Sequence, residues 1–480
     1  MTNTGEPGAR RALMWSFTNT AVGKFGTLFI SIVIARLLGP EEFGTYAVAL
    51  VALAAVLSFN ELGVSLAIVR WEGDPYRIAP TVTTISVVSS VAVFGAGWFA
   101  TPTFAAAMGD SDATDVVRLM LVCVPLNGVA ATPAALLQRE YQQGRRTAAD
   151  QVNIWLGAVI SVTLAAAGWG AMSLAVGRVV AAVVFTGMLI RLSPARLNCG
   201  WNREVVRPLL NFGLPLAGSS LVVFAVGYAD QLVVGNRLGA QALGFYLLAF
   251  NLASWPVNIF SQPIRAVAPA AFARIQNDAA RMDQSFRAAF RLVLVIALPA
   301  CAFLAGAAVP IVTVVYGEVW APAALALQWL ALQAAVRIVF ELSYDFLAVK
   351  RRSVTLMIVQ VCWLAALIPA LIIGARYGIA GVAIAQFAVA LLVLIGGYTW
   401  ALSRTGIGLV ALIRTALVPC TGGTLVWAVG YAATQGLEHP FAAVLVAGGV
   451  TLAVTAALAR LSRDSLHLLR KIDVLEEVAS

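Results

Sequence analysis

The sequence predicts an all-α polytopic membrane protein of about fourteen transmembrane helices, arranged as two pseudo-symmetric six-helix lobes followed by a C-terminal helix pair. Three observations point there. Of 480 residues, 60% are apolar and only 11% charged, whereas soluble domains run nearer half and a quarter. The apolar residues gather in runs close to the roughly 20 residues that a membrane helix needs. Segments about 200 residues apart also share a residue pattern. The same composition excludes a disordered chain, a collagen-like repeat and a cytosolic enzyme.

Taken in chain order, the spans are expected near 12–35, 43–66, 79–100, 116–137, 151–168 and 171–190, then 210–235, 242–264, 292–316, 319–343, 354–374, 379–401, 413–433 and 441–459. Arg10-Arg11 before the first run resembles a secretion signal. The run is long, carries Lys24 and is followed by no small-residue cleavage site, so it reads as a span. The charges test the count independently. With these spans, 25 Lys and Arg residues fall on one side and only Arg36, Arg237 and Arg376 on the other, where Glu41, Glu42, Asp110, Asp112, Asp115, Glu318 and Glu438 collect. Basic residues concentrate in cytoplasmic loops. Both termini are therefore expected in the cytoplasm, the protein in the cytoplasmic membrane, and the net charge of +9 reports topology rather than nucleic-acid binding.

The repeat supplies the lobes. Residues 38–49 and 238–249 align without a gap through Leu38/Leu238, Gly39/Gly239, Gly44/Gly244, Tyr46/Tyr246 and Ala49/Ala249. The turn with Gly170, Leu174 and Ala175 resembles the one with Gly378, Val382 and Ala383. The expected domains are an N-terminal lobe 1–190, a linker 191–209, a C-terminal lobe 210–401, an extra pair 402–459 and a tail 460–480. Six helices separate the copies, so they share an orientation and enclose a central cavity that can open to either side. Segment 272–291 places Phe272, Ile275, Met282, Phe286 and Phe290 at helical spacing opposite several arginines, which suggests a helix on the cytoplasmic membrane surface or a plain connector.

Charges left inside spans are candidates for function, because each costs about 2.5–3.5 kcal/mol at mid-membrane on insertion scales. They are Lys24, Arg178 and Arg337 among the bases and Asp230, Glu61 and Glu341 among the acids. Arg118 lies near an interface and can snorkel. Arg337 and Glu341 are one turn apart, so a packing ion pair competes with a functional role. Glu61 after Asn60 can equally be an interfacial cap, and Asp230 has no cation within its own turn. The scattered cysteines, four of them inside apolar runs, read as small packing residues. Two histidines, His439 and His467, argue against a metal site.

The stretches IARLLGPEEFGTYAVAL, ELGVSLAIVR, LLQREY and YADQLVVGNRLGAQALGFY together resemble the Wzx-type polysaccharide flippases of the multidrug/oligosaccharidyl-lipid/polysaccharide exporter superfamily, over essentially the whole chain. The resemblance implies movement of a polyprenyl-diphosphate-linked oligosaccharide across the cytoplasmic membrane by alternating access, without ATP hydrolysis. Lys24, Arg178 and Arg337 would then face the diphosphate, and acids such as Asp230, Glu61 or Glu341 would couple transport to H⁺ or Na⁺. Implied partners are the lipid-linked substrate, membrane lipids, and the polymerase and glycosyltransferases of polysaccharide assembly. No cofactor is expected.

A lipid II flippase shares the diphosphate end and is the nearest alternative. A drug–cation antiporter fits less well, because a positive lumen repels cations. A membrane glycan polymerase or glycosyltransferase needs a catalytic loop, and the longest outer loop, Thr101 to Asp115, offers no such residue set. No GxxxxGK[ST] loop is present. The expectation is a transporter, not an enzyme.

Overall fold

The computed structural model describes residues 6–59, 63–261, 272, 275, 278–350 and 352–462, with side chains of the first helix from Ile30 onward. Among the described residues the regular elements are all helical. Twelve helical stretches are long and apolar enough to cross a membrane. One of them, Val354–Ser403, has 50 residues, about 75 Å at the helical rise and more than two bilayer cores. The chain divides into two compact units, Met1–Gly244 and Phe245–Ser480.

In the first unit, α1 (Glu6–Leu57) breaks at Gly39, where φ is 75° and ψ 175°. Only glycine takes that φ without a Cβ clash, and Pro40 after it suits the first turn of a new helix. The two spans expected before residue 66 thus share one helical segment with a kink. Helices α2 (Ser65–Arg70), α3 (Pro75–Ala107), α4 (Ala113–Leu121), α5 (Cys123–Arg139), α6 (Gln143–Ala166), α7 (Ala171–Leu192) and α8 (Arg203–Leu238) follow. Small residues bring these helices close, as expected where lipid offers little hydrophobic drive between them. A Cβ on Gly128 would stand 1.9 Å from Ser90 Oγ, and one on Gly177 would stand 2.8 Å from the Gly157 carbonyl oxygen. The segment between α7 and α8 is stitched to α3: Gly200 N–H donates to the Pro80 carbonyl at 3.2 Å and to Thr84 Oγ1 at 3.0 Å, and Asn202 N–H donates to Thr81 Oγ1 at 3.1 Å.

Helix α9 (Ala240–Pro256) begins in the first unit after Gly239, whose φ of 89° and ψ of 173° nearly repeat those of Gly39. In the second unit lie α10 (Ala279–Gly306), α11 (Ala308–Tyr316), α12 (Ala323–Val349), α13 (Ser353–Gly374), α14 (Gly378–Val389), α15 (Ile395–Ser403), α16 (Leu409–Gly436) and α17 (Pro440–Leu461). The 50-residue stretch is a hairpin: a Cβ on Gly374 would meet the Gly381 carbonyl oxygen at 2.5 Å, and Gly378 turns with φ 75° and ψ −165°. Gly170, its repeat partner, has φ 53° and ψ −142°. Leu174, Ala175, Val382 and Ala383 behind these two turns are all buried. The repeat read from the sequence therefore recurs in backbone angles and in burial.

From residue 278 onward, where it is described continuously, segment 272–291 is no membrane-surface helix. From residue 279 it runs directly into the α10 span, and Met282 and Phe286 are fully buried. The Phe286 and Phe346 rings lie 4.5 Å apart, and Phe272 meets Phe346 edge-on at 5.4 Å. Contact with the aromatic residues of α12 is available inside the unit, so the apolar face is satisfied there instead of by lipid.

Candidate functional site

The intramembrane charges distribute over both units. The Lys24 side chain and Glu61 lie outside the described residues. Arg178 is exposed on α7, about 10 Å along the helix from Ala171 by helical rise. Gly177 commits one face of α7 to α6, and the Arg178 charge beside it lies near the Tyr46 side chain of α1. A phenol is no anion at neutral pH, so this neighbour does not cancel the charge. One turn before Tyr46, Glu42 reaches α7 as well: its Oε2 accepts the Ala171 N–H at 2.6 Å, placing a carboxylate on the positive end of the helix. Thr45 donates to Asp110 Oδ2 at 2.6 Å, while Asp110 Oδ1 accepts the N–H groups of Asp112 and Ala113 and so starts α4. One short stretch of α1 thus fixes the starts of two other helices.

Asp230 sits on α8 with 2% exposure, and its Oδ1 accepts the Gln231 N–H at 2.9 Å. In the second unit Arg337 and Glu341 form an ion pair along α12, with Nε to Oε1 at 3.1 Å and the side chains 48% and 15% exposed. Of the expected residues, the structure joins these two directly. Arg118 is drawn onto Trp98, its Cζ 5.1 Å from the ring centroid. Among the described residues, no group of three or more His, Cys, Asp or Glu residues is placed to hold a metal ion.

Sequence reading passed over two residues here. Tyr46 was visible only as half of the Tyr46/Tyr246 repeat match, with no sign that it lies near a guanidinium. Asp345 fell beyond the expected end of its span at 343, yet α12 continues to Val349 and leaves Asp345 7% exposed. Its spacing of four from Glu341 and eight from Arg337 was the available signal.

The profile of the polysaccharide biosynthesis protein family matches residues 33–325. The chain belongs to this family. This member of the polysaccharide biosynthesis protein family is 27% identical over 328 residues to the succinoglycan biosynthesis transport protein ExoT of Rhizobium meliloti (strain 1021), a match covering 68% of this chain and 66% of that one. It is 24% identical over 346 residues to the lipopolysaccharide biosynthesis protein WzxC of Escherichia coli (strain K12), covering 72% and 70%. The chain thus spans about two thirds of the length of these relatives. In fold it resembles the lipid II flippase MurJ in an inward closed conformation, with a TM-score of 0.75, 13% identity, and 93% of this chain and 99% of that one covered. An inward-facing MATE family transporter gives a TM-score of 0.63 at 16% identity, with 81% and 96% covered. The family match and the two sequence relatives agree with the Wzx-type resemblance read from the sequence, and the fold is that of multi-pass membrane transporters.

Proposed function

We propose that this protein is a flippase for polyprenyl-diphosphate-linked oligosaccharide, the repeat unit of a cell-surface polysaccharide, and that it works by alternating access in the cytoplasmic membrane with both termini in the cytoplasm. The observation that carries the reading is Arg178, an exposed guanidinium on an apolar helix, with the Tyr46 side chain near it. A cation kept in an apolar span needs an anionic counterpart to justify its insertion cost, and a diphosphate accepts hydrogen bonds from a planar guanidinium in two directions. Arg337 offers a second cation, half-exposed despite its pairing with Glu341. Lys24 is the third cation of the proposed set.

Asp230 is the leading candidate for coupling to H⁺ or Na⁺, with Glu341 and Glu61 as further candidates. A buried carboxylate on a span is poised to change protonation or ligation as its surroundings open. The proposed lobes are 1–190 and 210–401, joined by the linker 191–209 and followed by the pair 402–459 and the tail 460–480. Proposed partners are the lipid-linked substrate, the surrounding lipids, and the polymerase and glycosyltransferases of the same assembly route.

The experiment is export of lipid-linked glycan by cells carrying Arg178→Ala or Arg337→Ala, with membrane abundance measured in parallel. Lost export at unchanged abundance supports the reading. Unchanged export refutes the assigned role, and loss of abundance assigns the arginines to packing.

A further inference from the structure

We propose that the cleft formed by α2, the loop after it and the start of α8 binds a phospholipid whose headgroup joins a phosphate to a primary amine. The cleft has a volume of about 400 Å³ and is lined by Arg70, Trp71, Glu72, Pro208 and Phe212 among others. It therefore carries one cation and one anion in a mainly apolar wall. Among the described residues neither Arg70 nor Glu72 takes part in an ion pair. The Arg70 Cζ lies 6.0 Å from the Phe212 ring centroid. Among the described residues the Arg70 guanidinium donates no hydrogen bond, so its N–H groups are available to a phosphate.

The two charges select the ligand. An anionic headgroup without an amine would meet Arg70 but be repelled by Glu72, and a simple cation would suffer the reverse. A primary ammonium donates hydrogen bonds to the Glu72 carboxylate, whereas a quaternary ammonium has no N–H to give. Apolar side chains continue from the cleft along α8, where Leu214, Val222 and Val223 are 53%, 57% and 71% exposed and offer a path for acyl chains. Trp71 beside the charges has the amphipathic character found at membrane interfaces.

The cleft is built in advance. Arg139, at the end of α5, donates to the carbonyl oxygens of Ile68 and Trp71 at 2.7 Å each and of Gly73 at 3.2 Å, so the loop bearing Trp71 and Glu72 is held from beneath. On the opposite wall, Asn202 Oδ1 accepts the Glu204 N–H at 3.0 Å and fixes the start of α8. A wall already ordered spares the bound lipid that cost.

The site does not depend on what the protein transports, so its test is independent of the proposed function. Full-length protein in detergent is titrated with phosphatidylethanolamine, phosphatidylglycerol or phosphatidylcholine of matched acyl chains, and retained lipid is counted by native mass spectrometry. Phosphatidylethanolamine is expected to be preferred. Arg70→Gln and Glu72→Gln should each weaken it about tenfold, the size of one hydrogen bond to a charged group, and Glu72→Gln should leave phosphatidylglycerol undiminished. On the wild-type protein, soluble O-phosphoethanolamine should displace the lipid and inorganic phosphate should not, a result that stands even if a variant fails to fold. Equal retention of the three lipids, displacement by phosphate alone, or binding unaffected in folded Glu72→Gln protein would each overturn the proposal.

Discussion

Arg337 and Glu341 meet at 3.1 Å one turn apart on α12, with the arginine about half exposed and the glutamate mostly covered. Such an i,i+4 pair contributes only about 0.5 kcal/mol to a helix, so stability alone gives little reason to keep two charges in a span. Removing the arginine alone takes one charged partner from a mostly covered carboxylate, and removing both does not. Arg337→Ala should therefore lower the unfolding temperature in detergent more than the Arg337→Ala/Glu341→Ala double variant does, while export is lost in both. Recovery of export in the double variant would show that the pair serves packing.

Tyr46 of α1 lies near the Arg178 charge of α7. Tyr46→Phe keeps the ring and removes the hydroxyl near that charge, so abundance should hold while export falls several-fold, on the order of one polar contact to a charged group. Wild-type export by Tyr46→Phe would remove Tyr46 from the positioning role.

Glu42 caps α7 across a turn that tolerates only glycine. At Gly170 φ is 53°, and a Cβ there would stand 2.4 Å from the Glu42 Oε2. Gly170→Ala should destabilise the protein by about 1–3 kcal/mol from strain and displaced carboxylate, and Glu42→Ala by about 1 kcal/mol from the lost cap. Thermal unfolding of both variants measures this. If Gly170→Ala proves harmless, the close approach is not a constraint.

Phe286 is fully buried between Phe290 and Phe346. Phe286→Ala should cost about 3–5 kcal/mol, the usual range for an emptied aromatic core site, and should lower membrane abundance sharply. A helix lying on the membrane surface would lose membrane affinity instead, with little change in unfolding.

The fold was legible because its determinants are local and repeated. Apolar runs mark the helices, charge marks their ends, and Gly39, Gly239, Gly170 and Gly378 mark breaks that only a positive φ permits. The 272–291 stretch misled because helical spacing of aromatics reads the same whether the partner is lipid or Phe346. The candidate charges were visible as charges, but their pairings were not: Arg337 with Glu341 lay within reach of an i,i+4 rule, whereas Arg178 with Tyr46 joins helices 132 positions apart in the sequence. Polar residues such as Arg139, which donates to four backbone carbonyls, resemble any loop arginine until the chain is folded.

The most direct measurement is translocation of a fluorescent polyprenyl-diphosphate oligosaccharide across proteoliposomes containing the purified protein, compared with Arg178→Ala protein at equal reconstitution. The proposed function predicts protein-dependent movement of the lipid-linked glycan that the Arg178→Ala variant lacks. Movement at the same rate in wild-type and variant vesicles, or none above protein-free vesicles, would contradict it.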